Sequence, residues 1–81
     1  MAATKKDRVQ PVAIHTEFIR LDALLKLSGF AETGGQAKEM VLEGAVSVNG
    51  ETELRRGRKL YPGDWAGIDD YRIEVVQGAV S

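Results

Sequence analysis

The feature that most constrains this chain is a change of hydrophobic period at Gly44. Before it, Leu21, Leu24, Leu25 and Ser28 recur with helical spacing, and Ala37, Met40 and Val41 do so again, with Leu42 at the edge. After it, Val46 and Val48 alternate with Ser47, and Asn49-Gly50 is a strong signal for a two-residue hairpin. Apolar faces of both periods in one short chain have to bury each other, so helices must lie against a sheet. The punctuation agrees. An extended stretch from Glu17 to Leu21 leads into the first helix and Gly29 ends it, whereas Thr33 caps the second and Gly44 stops it. Further strands are expected at Glu51 to Leu54, Arg58 to Leu60, Trp65 to Ile68 and Tyr71 to Val75. A type II turn at Tyr61-Pro62-Gly63-Asp64 and a turn at Asp69-Asp70 separate the later ones. The expected fold is α+β, two short helices packed on a small, mostly antiparallel sheet of about three to five strands.

Eighty-one residues suffice for one small domain. Residues 1–16 are polar, contain Pro11 and show no period, and they read as a mobile, mildly basic arm; residues 17–81 read as the folded domain. There is no Cys and His15 is the only histidine, which removes disulfides, thiol nucleophiles and Cys-based metal sites and leaves a Ser/His/Asp triad only one place to be built. No carboxylates have metal-ligand spacing, so the expectation is a non-enzymatic protein with no cofactor and no metal. No run approaches the ~18 apolar residues of a membrane span, and no apolar core follows Lys5, Lys6, Asp7 and Arg8 as in a signal peptide. These features predict a cytoplasmic monomer with no membrane partner.

A net charge of −1 hides a segregation: four of the five residues from Arg55 to Lys59 are basic, whereas Asp64 to Ser81 holds Arg72 against Asp64, Asp69, Asp70 and Glu74. A cationic loop broken by Gly57 is either a grip on phosphates or a solvated, solubilising loop. Two glycines at Gly34-Gly35 cost helix propensity. They therefore suggest close approach, of a phosphate to the helix start or of the first helix to the second. Lys38 shares the face of Gly34, while Arg20 and Lys26 are ambiguous between surface and ligand roles. Among the aromatics, Trp65 reads as core, Phe18 and Phe30 as packing beside the helices, and Tyr61 as the better base-stacking candidate.

From Arg20 to Asp64 the chain resembles the RNA-binding domain named after ribosomal protein S-four. Arg20-Leu21-Asp22, Leu25, Gly29, Ala37, Gly44, Val46, Val48-Asn49-Gly50 and Gly63-Asp64 all fall at the family's spacing. Leu24 to Gly29, Thr33 to Lys38 and Val48 to Leu60 look most like the small stand-alone bacterial proteins of YbcJ-like or YaaA-like type. The chain departs from the pattern twice. The wider family opens its second helix with Ser-Arg, the Arg contacting RNA, where this chain has Thr33-Gly34; and Glu53-Leu54 stands where the subfamily has Thr alone. The resemblance implies one surface for structured RNA, ribosomal or tRNA-like, with a ribosomal subunit as a larger partner. Its residues would be Arg20, Lys26, Thr33, Gly34, Gly35, Lys38, Asn49, Arg55, Arg56, Arg58 and Lys59, with the backbone N–H groups of Gly34 and Gly35 taking the phosphate that the missing Arg would hold. Two alternatives stay open. One is a protein-interaction module that kept the fold and lost RNA binding, using an apolar patch around Leu27, Phe30 and Leu42; the other has the arm, Lys5 to Arg8, carrying most of the affinity.

Overall fold

Gly44 is where the helices end and the main sheet resumes. A computed structural model describes residues 8–78. In order these form β1 (Arg8–Ile14), β2 (Ile19–Arg20), α1 (Leu21–Leu27), α2 (Gly34–Leu42), β3 (Val46–Val48), β4 (Glu51–Thr52), β5 (Lys59–Leu60), β6 (Trp65–Ile68) and β7 (Tyr71–Gln77). Neither helix is long and apolar enough to cross a membrane.

The helical faces are those the spacing predicts. Leu21, Leu24 and Leu25 of α1 and Ala37 and Val41 of α2 have no exposed surface, and small Ala37 lets the two helices pack closely. Thr33 caps α2, its Oγ1 accepting the Gln36 N–H at 3.1 Å, while the Gln36 amide oxygen accepts the Glu32 N–H at 2.7 Å. This is a near relative of the capping box. The partly buried Met40 and Phe30 close the core's edge.

The main sheet has five strands in the order β1-β7-β6-β3-β4, antiparallel throughout except for the parallel pair β1 and β7, and β2 and β5 form a separate two-stranded ribbon. Val46, Val48, Ala66, Ile68, Ile73 and Val75 line the inner face, as their alternation requires. At the β3–β4 hairpin Asn49 and Gly50 both have positive φ, 51° and 92°, which a type I′ turn needs. Gly63 at φ 103°, with the Asp64 N–H donating to the Tyr61 carbonyl at 2.8 Å, makes the expected type II turn.

Two expectations are corrected. Residues 8–14 are not part of an arm: they form β1, paired in register with Tyr71–Gln77, and bury Val12 and Ile14 in the core. Pro11 is tolerated because β1 is an edge strand, where a missing N–H breaks no ladder on the open side. Lys5 and Lys6 of the expected arm lie outside the described residues. Trp65 is not core either. The strand alternation that buries Ala66 and Ile68 turns Trp65 to the outer face of the sheet, where it is half-buried under the Arg72 guanidinium, 4.0 Å from the ring centre.

A strand in place of an arm has a measurable consequence. Ile14→Ala should destabilise the domain by about 2–4 kcal/mol in urea unfolding, whereas truncation of a side chain in a mobile segment would cost under about 0.5 kcal/mol.

Candidate nucleic-acid interface

The segment Arg55 to Lys59 is held in place by the helix beside it. The first backbone N–H groups of a helix have no partner within it, and Arg20, at the N-cap of α1, offers no side-chain cap. The loop supplies the acceptors instead: Leu21 N–H donates to the Arg58 carbonyl at 2.8 Å and Asp22 N–H to the Arg56 carbonyl at 3.0 Å. The ladder of β2 with β5 then sets Arg20 opposite Lys59. The Arg20 guanidinium lies over Gly57, where an added Cβ would stand 3.5 Å from its Nη2, and it pairs with Asp22 at 3.1 Å.

From the other side the loop is held by Glu53, the one buried charged side chain of the described residues. Its carboxylate accepts from Arg55 three times, from the backbone N–H at 3.1 Å, from Nε at 2.9 Å and from Nη2 at 3.3 Å, and from Arg58 Nη1 at 2.6 Å. The hydrogen bonds from Arg55 lead those from Arg58 in drawing the Glu53 carboxyl down to about 2, against the opposing effect of burial. The same contact raises the Arg55 pKa. Arg56 makes no side-chain ion pair or hydrogen bond among the described residues. Arg55, Gly57, Arg58 and Lys59 line an open depression of about 490 Å³.

The structure therefore brings together Arg20, Arg55, Arg56, Arg58 and Lys59. Lys26 stands further along α1, with Ile19, Ala23 and Leu27 in an apolar trough of about 440 Å³. Thr33 caps α2 and Gly34, Gly35 and Lys38 lie within it, and no hydrogen bond or ion pair among the described residues links them to residues 53–59. A Cβ at Gly34 would meet nothing within 4 Å, and at Gly35 only Thr33 Oγ1 at 3.9 Å. Approach of α1 is thus not what these glycines serve. Asn49 is engaged internally: its Nδ2 donates to Asp64 at 3.1 Å and its Oδ1 accepts the Trp65 N–H at 3.1 Å, clasping the hairpin to the Pro62-Gly63 turn.

Of the expected apolar patch, Leu27 and Leu42 are exposed, whereas Phe30 packs on the core and on the Tyr71 ring, 5.4 Å between centroids. Another concavity of about 190 Å³ lies on the outer sheet face beside Trp65 and Gly67, but Arg72 is its only cation and Asp69 offsets it. Glu53 is the site residue that sequence reasoning passed over. The available signal was an acid two positions before a five-residue segment holding four bases, at one of the two places where the chain departs from the family pattern it resembles.

Residues 12–76 match the family model described as S4 domain. The chain is 46% identical over 61 residues to a Bacillus subtilis protein named "Probable ribosome maturation protein RlbA", covering 75% of this chain and 86% of the relative. The solution structure of YbcJ from Escherichia coli, described as having an αL motif involved in RNA binding, superposes with a TM-score of 0.58 at 32% identity, covering 94% of this chain and 91% of YbcJ. Heat shock protein 15 of Vibrio cholerae superposes with a TM-score of 0.59 at 28% identity, covering 67% of this chain, which spans only 54% of that one.

Two substitutions test the geometry directly. A carboxyl with a depressed folded pKa stabilises fully above its unfolded pKa of about 4.5 and loses that contribution as pH falls through the folded value near 2. Glu53→Gln should therefore cost about 2–3 kcal/mol in urea unfolding at pH 7, and its difference from the parent chain should shrink as pH falls from 5 towards 2. Gly34→Ala, with open space and an ordinary φ, should instead raise stability by up to about 1 kcal/mol.

Proposed function

The chain belongs to the S4 domain family, and on that premise we propose that it binds structured RNA, ribosomal RNA being the favoured target, through the cationic depression around Gly57. One observation carries this reading: the fold gathers Arg20, Arg55, Arg56, Arg58 and Lys59 at one place and keeps them there with helix and strand hydrogen bonds. Like charges that repel one another are held together at a cost to folding, which is reasonable where a polyanion is to be met. The names of the relatives, ribosome maturation for one and RNA binding for the other, support the same reading.

The cations are not equivalent. Arg55 and Arg58 share the Glu53 carboxylate, so they order the loop while contributing only part of their charge to a ligand. Arg56 and Lys59 have no carboxylate on them among the described residues and act as the freer phosphate contacts. Contacts of this kind position the protein on RNA by shape and backbone rather than by reading base edges. Gly34, Gly35 and Lys38 at the start of α2 are a secondary contact in this proposal, the open space at Gly34 leaving the backbone accessible.

The test is a salt titration of binding to a folded ribosomal RNA fragment. Arg56→Ala and Lys59→Ala should each weaken binding and each flatten the slope of log affinity against log salt by roughly one. Single substitutions are preferable to removing Arg55 and Arg58 together, which would strand the buried Glu53 charge and unfold the loop. Absence of binding at low salt, or an unchanged slope in both variants, would overturn the proposal.

A further inference from the structure

The two-stranded ribbon formed by β2 and β5 carries more than charge. Its register pairs Ile19 with Leu60 and Arg20 with Lys59. One step further along that register Phe18 comes opposite Tyr61, and their rings are in contact, 5.8 Å between centroids at an interplanar angle of 53°. Side chains alternate across a strand, so with Leu60 turned fully into the core, the Phe18–Tyr61 and Arg20–Lys59 pairs share the outward face. The Lys59 ammonium confirms the sharing by lying over the Phe18 ring, 4.7 Å from its centre. Aromatic and cationic pairs two residues apart are separated by about 7 Å along the strand. That is close to the span between a nucleotide's base and its own phosphate.

From this juxtaposition we infer that Tyr61, braced against Phe18, offers its ring as a stacking platform for an unpaired base, whose phosphate is taken by Lys59 and Arg20. The inference rests on the RNA reading above and narrows its ligand, from folded RNA in general to a helix interrupted by an extruded nucleotide. Charge alone would not call for this. A fully paired helix satisfies the basic loop but offers no free base face, whereas Tyr61 is 43% exposed beside the site.

The platform is built before RNA arrives. Thr16 Oγ1 donates to the Phe18 carbonyl at 2.8 Å, and the Asp64 carboxylate accepts the Tyr61 N–H at 2.8 Å while the Asp64 N–H returns a bond to the Tyr61 carbonyl at 2.8 Å. Asp64 is held in turn by Asn49. Little ordering is left for binding to do. A nucleotide is the ligand that fits both halves of this face, because it joins a flat π-system to an anion in one unit. Stacking of this kind tolerates any base, so the platform selects the unpaired state and not a sequence.

The experiment uses two RNA hairpins of equal length, one fully paired and one carrying a single bulged 2-aminopurine, with the full chain, Tyr61→Leu and Tyr61→Trp. The full chain should prefer the bulged hairpin by about tenfold and quench its fluorescence. Tyr61→Leu should lose both the preference and the quenching while keeping its affinity for the paired hairpin and its salt slope. Tyr61→Trp should restore both, which excludes a mere folding defect. Equal affinity of the full chain for the two hairpins, or an unchanged preference in Tyr61→Leu, would overturn the platform and leave the phosphate grip standing. Binding to neither hairpin at low salt would overturn both.

Discussion

The N–H groups of Leu21 and Asp22 that open α1 are bonded to the carbonyls of Arg58 and Arg56, and the placement of the basic loop depends on that exchange. A helix start whose N-cap residue makes no side-chain cap needs acceptors for its first N–H groups, and a loop crowded with cations needs fixing. Each supplies what the other lacks. The helix brings the Leu21, Leu24 and Leu25 face that anchors it in the core, so the loop inherits the rigidity of the core through two backbone bonds. The positive end of a helix dipole beside a basic loop is unfavourable, and Asp22 in the first turn, paired with Arg20, relieves part of it.

Glu53 completes the arrangement from below. A buried carboxylate is costly unless its oxygens are satisfied, and here four hydrogen bonds from two arginines satisfy them. The result divides the cations by role. Two arginines organise the loop, while Arg56 and Lys59 have no carboxylate on them among the described residues. In the β6–β7 half of the chain, Asp64 is tied into the turn with Asn49 and Glu74 pairs with Arg72 on the sheet. A pI of about 5.8 does not describe the charge at this loop, because screened charges act within about a Debye length and not as a sum over the chain.

Much of the fold was legible in residue order. The helices announce themselves through Leu21, Leu24, Leu25 and Ala37, Met40, Val41; the hairpins through Asn49-Gly50 and Asp69-Asp70; the second helix start through Thr33. All of these signals are local, set by neighbours within four or five positions. The strand at Arg8–Ile14 was not legible, since only Val12 and Ile14 turn inward and the strand's partner, Tyr71–Gln77, lies some sixty positions away. The outward turn of Trp65 was missed for a related reason. Its strand is clearly apolar, but which of two faces is covered depends on where the helices lie. The basic loop was legible as charge but not as structure, since neither the Glu53 clamp nor the capping of α1 has a motif of its own.

Sequence by itself determined the kinds of element, their order, and the concentration of charge between Arg55 and Lys59, because periodicity, turn chemistry and composition are written in consecutive residues. Only the closed fold sets which cations Glu53 holds, that Asn49 serves as a clasp, and that Phe18 meets Tyr61 beside Lys59. Those outcomes rest on contacts between residues as much as forty-three positions apart, as with Phe18 and Tyr61. Packing and backbone hydrogen bonding fix such contacts only once the core of Leu21, Leu60 and Ile73 has closed around them.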